Sequence, residues 1–187
     1  MRKLWPPLAV VPAIMTAAAL VLRAQGRLGF CDCGRFRLWT QEAWGAETSQ
    51  QLFDPYSFTH VLHGFAFAGL LALVAPRLRA GWRLTLAVAL EAAWEIVENT
   101  SYVIDRYREA TAALGYAGDT VVNSLGDIAA CGLGFGIARR LGWRLSLAAF
   151  ALVEIALLVL IRDSLLLNVL MLIYPSDAVR AWQSAGH

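Results

Sequence analysis

The sequence predicts an all-α polytopic membrane helix bundle, with about five transmembrane helices and an interfacial C-terminal helix. Of its 187 residues, 58% are hydrophobic and 16% charged, and the mean hydropathy is +0.54. That is about 108 apolar residues, more than one small soluble core needs. Five spans of about 20 residues each account for roughly 100 of them and leave short connections. Sparse charge, three cysteines and a net charge of +2 exclude a disordered chain, a disulfide scaffold and a nucleic-acid partner.

The first apolar stretch runs over 4–22 behind Arg2 and Lys3 and contains Pro6, Pro7 and Pro12. A cleaved signal closes with a small-x-small site. Here Arg23 follows directly, so the stretch reads as an uncleaved anchor. The next spans are expected at 58–75, 84–99, 120–138 and 145–161, each bounded by Arg, Pro or Gly. The apolar run Leu165–Tyr174 is too short to cross as a straight helix. With the Arg180 and Trp182 pair beyond Pro175, the tail 165–182 reads as interfacial or re-entrant. No repeat or long hydrophilic stretch divides residues 1–187, which read as one membrane domain.

Arginines crowd two tight connections, Arg77, Arg79 and Arg83 in one and Arg139, Arg140 and Arg144 in the other. Both are assigned to the cytoplasm together with Arg2 and Lys3. Segments 23–57 and 100–119 then face the periplasm. Trp39, Trp44, Tyr56, Tyr102, Tyr107 and Trp143 fall near the expected borders and read as an interfacial belt.

Five acids lie within the expected spans, Glu91, Glu95, Glu98, Asp127 and Glu154, and no Lys or Arg lies beside them there. A buried charge costs roughly 2.5–3.5 kcal/mol on insertion scales, so these acids must be protonated, paired with border arginines, or gathered round a cation. Glu91, Glu95 and Glu98 repeat at i, i+4 and i+7 on one helical face. Asp119, Asn123 and Asp127 repeat at i, i+4 and i+8, and His60 and His63 sit side by side with Gly64 next to them. At 1.5 Å per residue, the histidines and the acids nearest the outer ends fall within roughly 11 Å of the same surface. The alternating direction of the spans brings all three stripes to one side.

Two imidazoles with several carboxylates form an N/O donor set suited to Zn, Mn or Fe. His60, His63, Glu95 and Asp127 are the expected ligands. Glu98 is the candidate base, with Asn99 beside it in the catalytic role. Asp119 and Asn123 are expected at the substrate, and Arg106 and Arg108 at an anionic headgroup or phosphate. The ordinary alternative is that His, Glu and Asn act as interhelical hydrogen-bond glue. Glu154 is expected near the midplane, away from the cluster, protonated or hydrogen-bonded to a neighbouring helix, and Arg162 with Asp163 at the end of the fifth span. Cys31 and Cys33, in CDCG, leave open a mutual disulfide, metal ligation, or pairing with another chain; Cys131 reads as an ordinary buried small residue.

The stretches CDCG with RLW, YSFTHVLHGF, EAAWEIVENTSYVIDRYR, YAGDTVVNSLGD and IRDSLLLNVLMLIYPSDAVRAWQ occur in that order between Cys31 and Gln183. Together they resemble the uncharacterised bacterial multi-pass membrane family known as domain of unknown function 2585, also called uncharacterised protein family 0314. The resemblance implies a cell-membrane location and no particular activity.

The leading expectation is a metal-dependent hydrolase or transferase of the bacterial inner membrane, acting on a lipid or lipid-linked substrate from a polar site near the periplasmic side. Two other expectations stand beside it, a proton- or ion-coupled transporter and a non-catalytic assembly or envelope factor. A transporter needs a polar stripe across the membrane, and the inner halves of the spans carry none.

Overall fold

The computed structural model describes residues 9–113 and 115–185. Among them every regular element is helical. The helices are α1 (Val11–Ala24), α2 (Ser57–Val74), α3 (Ala80–Glu98), α4 (Ser101–Ala110), α5 (Val121–Ile161), α6 (Leu165–Ile173) and α7 (Asp177–Ser184). Residues 4–8 of the expected first span, with Arg2, Lys3, Pro6 and Pro7, lie outside the described residues. Pro12 stands in the first turn of α1, where a missing N–H costs no hydrogen bond.

The starts of the four later helices carry side-chain caps. Thr100, Thr120, Ser164 and Ser176 each accept from the backbone N–H three residues on, opening α4, α5, α6 and α7. Gly142 interrupts α5 at φ 75°, ψ 169°, a left-handed setting that favours glycine. The chain bends sharply there: the Ser146 hydroxyl donates to the Ala138 carbonyl at 3.0 Å, and Phe150 packs on a core that includes Phe135 and Ala138. α5 thus consists of two arms, 121–141 and 143–161.

Contacts fix the directions of these rods. Gln25 Nε2 donates to the Ile96 carbonyl while Ile14 and Met15 pack near Val88, so α1 and α3 run parallel. The first arm of α5 follows α2: Thr120 N–H donates to the Ser49 carbonyl, and Gly134 lies on Val61 further along. The second arm returns, because Trp44 Nε1 donates to the Ile161 carbonyl and the Tyr56 hydroxyl to Asp163. One end of the molecule therefore gathers the ends of α1, α3 and the second arm with the starts of α2 and the first arm. The opposite end is filled by Phe65, Ala68, Leu71, Ala87, Phe135 and Ala138.

Small residues set the spacing between α2 and the first arm. A Cβ on Gly64 would stand 2.1 Å from the Cys131 carbonyl oxygen, and one on Gly134 2.1 Å from that of Val61. Small residues at such positions let the two helix backbones approach closely.

Several sequence expectations are corrected. α2 and α5 are long and apolar enough to cross a membrane; α1 is shorter in its described part, and α3 carries Arg83 and three glutamates. Five spans therefore do not follow from length and composition. Segments 120–138 and 145–161 are two helical arms, and the connection between them shortens to the one non-helical residue, Gly142. Segment 100–119 is not all connection, since the Thr100 cap starts α4 within it. The tail 165–182 is two helices, because the stretch at Pro175 breaks it before the Ser176 cap restarts it. Glu154, by contrast, has the hydrogen bond to a neighbouring helix that was expected of it: its carboxylate accepts from Leu165 N–H at 3.0 Å and Leu166 N–H at 3.2 Å, lying on the positive end of α6. Arg162 and Asp163 do stand at the end of α5, with Arg162 as its C-cap, and there turn to different partners. Arg162 turns to the Trp182 carbonyl and ring, and Asp163 accepts from Tyr56 and Ser164.

Replacing Gly134 with Ala is expected to cost about 1–3 kcal/mol, the range for overpacking. The check is thermal unfolding in detergent. Gly136→Ala, with nothing within 4 Å of the added carbon, should melt no lower than the parent.

Candidate metal centre

Three helices build the centre at the gathered end. α2 contributes His60 and His63, one turn apart, their rings 5.2 Å between centroids and nearly perpendicular. α3 contributes Glu91, Glu95 and Glu98, and α5 contributes Asp127. Glu91 and Glu95 have no exposed surface, and His60, Glu98 and Asp127 are also buried.

Glu91 lies between the two histidines. Its Oε1 is 2.5 Å from His60 Nδ1 and 2.9 Å from His63 Nδ1, with Oε2 3.0 Å from the latter. With Glu91 as a carboxylate, both rings donate through Nδ1, which leaves each Nε2 a lone pair. Glu95 Oε1 is 3.3 Å from His60 Nδ1 without a hydrogen bond, because the single proton there points at Glu91. Asp127 Oδ2 stands 3.8 Å from His60 Nε2.

Charge compensation is incomplete. Both oxygens of Glu95, Oε2 of Glu98 and Oδ1 of Asp127 are buried without a hydrogen-bond partner. A buried polar atom left so is costly, and these four are all carboxylate oxygens gathered at one place. Two overlapping sets have donor atoms within 4.8 Å of one another: His60, His63 and Glu91, and His60, Glu95 and Glu98. Such a cluster can hold a metal ion.

A polar layer lies over the cluster. Asn99 and Asp119 bind reciprocally: Asp119 N–H donates to Asn99 Oδ1 at 2.7 Å, and Asn99 Nδ2 donates to Asp119 Oδ2 at 2.8 Å. The Tyr116 hydroxyl donates to Asp119 at 3.0 Å, and the Tyr107 hydroxyl pairs with Glu98. Burial, and then the charges of Glu98 and Asp119 respectively, push Tyr107 and Tyr116 well above the usual phenol range, so both remain donors. Asn123 Nδ2 donates to the carbonyl of the fully buried Gln51, tying α5 to the segment before α2. In that segment Cys31 and Cys33 form a disulfide, which resolves the open alternatives at CDCG, and Gln51 Nε2 lies 3.7 Å from Cys33 Sγ.

Comparison with known proteins adds a family to this geometry. The family described as "Protein of unknown function (DUF2585)" matches residues 22–185. The chain belongs to that family. It is 49% identical to a UPF0314 protein of Paracoccus denitrificans, over 92% of this chain and 89% of the relative. To UPF0314 proteins of Brucella anthropi and Sphingopyxis alaskensis it is 41% and 43% identical, over 94% and 95% of this chain and 89% and 94% of the relatives. No solved structure matches it.

In this member of the family, the residues expected as ligands divide. His60, Glu95 and Asp127 meet, with Glu98 in reach of the first two; His63 joins through Glu91. Asn99, Asp119 and Asn123 stand in the covering layer. Arg106 Nε donates to the Leu172 carbonyl of α6, and Arg108 Nε to the Tyr116 carbonyl, so both guanidiniums brace backbone around that layer. Glu91 had no ligand role in the sequence reading, although its spacing from Glu95 puts it on the same stripe. Tyr107, assigned to an aromatic belt, faces Glu98 instead.

Two acids outside the spans complete this end. Asp54 accepts from Ser49 and Tyr56 N–H groups at 2.7 Å, yet burial pushes its carboxyl up to about 6. Burial likewise pushes Asp163 up to about 7, against the Ser164 N–H and the Tyr56 hydroxyl. The unfolded chain releases the Asp163 proton near its ordinary value of 3.8, while the folded chain keeps it to about 7. Stability therefore falls as pH rises through that window and levels off above it, by at most about 1.4 kcal/mol per pH unit. Asp163→Asn should flatten this fall, read as a smaller drop in Tm than the parent shows between pH 5 and 7.5.

Proposed function

We propose that the chain is a five-span bundle of the bacterial inner membrane that binds a divalent transition metal, Zn, Mn or Fe, near the periplasmic surface. There it acts as a metal-dependent hydrolase or transferase on a lipid or lipid-linked substrate. The observation that carries the metal is Glu95: fully buried, beside His60, with neither oxygen hydrogen-bonded. A cation supplies what those oxygens lack.

The membrane reading draws support from the surface. Leu145, Leu147, Leu152, Ile155, Val159 and Leu160 of the second arm of α5 are 58–78% exposed, an apolar face larger than a water-soluble chain ordinarily displays. The two arms, with α1, α2 and α3, supply the five alternating rods. The Cys31–Cys33 disulfide, at the same end as the cluster, fits an oxidising compartment.

In this reading His60, His63, Glu95 and Asp127 hold the ion, which supplies an activated water. Glu98, paired with Tyr107, takes the proton of the attacking group. Asn99 holds Asp119 in place beside it, Asn123 fixes the wall above, and Arg106 and Arg108 set the rim that an anionic headgroup approaches. Transport is disfavoured by the apolar packing at the opposite end, where Phe65, Leu71 and Phe135 close the interior.

A second reading has its own observation. The His60–Glu91 and His63–Glu91 pairs clamp α2 to α3, as an assembly factor with no turnover would need. The two readings separate on metal content. Protein purified in detergent under metal-replete conditions should carry bound transition metal by elemental analysis, and His60→Ala should lower it at least tenfold while remaining folded. Less than a tenth of an equivalent in the parent protein would sink the metal reading and leave the assembly factor.

A further inference from the structure

We propose that the cluster is built for two divalent cations, not one. The inference rests on the metal reading above and concerns how many ions the same residues take and how they share them.

Charge sets the number. Glu91, Glu95, Glu98 and Asp127 bring four carboxyl groups into the interior; among the described residues Glu91, Glu95 and Asp127 lie within ion-pair distance of His60, Glu91 also of His63, and none of the four of a Lys or Arg. One divalent ion held by neutral imidazoles leaves two carboxylate charges uncompensated in a region that solvates charge poorly. Two ions bring the sum to zero.

Donor geometry points the same way. The two metal-capable sets, His60 with His63 and Glu91, and His60 with Glu95 and Glu98, share only His60, so each carries donors that the other lacks. The division that gives each ion one imidazole places His60, Glu98 and Asp127 on the first and His63 and Glu91 on the second, which takes the place of the proton between His63 Nδ1 and Glu91. Glu95 lies one turn from Glu91 and one turn from Glu98, with both oxygens buried and unpartnered, and so is the carboxylate disposed to bridge. Asp127 Oδ1 and Glu98 Oε2, also without partners, belong to the first ion. Paired ions of this type lie about 3.5–4 Å apart. A set of two imidazoles and four carboxylates suits Mn(II) or Fe(II), and Zn(II) after them.

The test is a titration of the metal-stripped full-length chain in detergent with Mn(II), followed by equilibrium binding and electron paramagnetic resonance. The expected result is about two equivalents bound and a broadened, exchange-coupled signal in place of the isolated six-line pattern. One equivalent with an isolated-ion signal overturns the two-ion proposal and leaves the metal site standing; no binding overturns both. Glu91→Gln, which keeps the side chain's size, should bind one ion and recover the six-line pattern, and His63→Ala should do the same by removing the other donor of that ion. Two coupled ions in both variants would overturn the division of ligands.

Discussion

Glu91, Glu95, Glu98 and Asp127 sit in the interior with two histidines as their charge partners, and the architecture around them follows from that arrangement. Carboxylates so placed need every donor within reach, so α2 must approach both α3 and α5 closely enough for one ring, His60, to touch Glu91 on one side and Asp127 on the other. Gly64 and Gly134 make the second approach possible, since at either position a methyl group would collide with backbone. The Asn99–Asp119 pair then locks the end of α3 to the start of α5, holding the two acidic stripes in register.

Much of this was legible in the sequence because helical spacing is a strong signal. Three glutamates at i, i+4 and i+7 and two histidines at i, i+3 define faces without help from tertiary contacts. Alternating rods bring those faces to one end. The depth count was coarser. His63 lies six residues into α2 and Glu91 seven residues before the end of α3, about 9 and 10.5 Å from the same surface, so these two are level. Counting from the outermost acids favoured Glu95 and Glu98 and left Glu91 without a part.

What stayed hidden depends on long-range placement. A hydrogen bond to a neighbouring helix was expected of Glu154, but its partner appears only when α6 folds back and presents two N–H groups to it. Tyr107 resembles a border aromatic until α4 turns it towards Glu98. The break at Gly142 was read as a connection several residues long, whereas one glycine in a left-handed conformation suffices. In each case the local sequence is compatible with both outcomes, and a partner distant in the chain decides.

His63 differs from its neighbours in one respect. Its side chain retains 18% exposure while the partners in the cluster are buried, and its ring faces Trp94 and Phe67 on the flank of the α2/α3 pair. The lid of Asn99, Asp119 and Tyr116 covers the axial direction. The six polar side chains are therefore least covered at His63, on the flank between α2 and α3 beside the rings of Trp94 and Phe67.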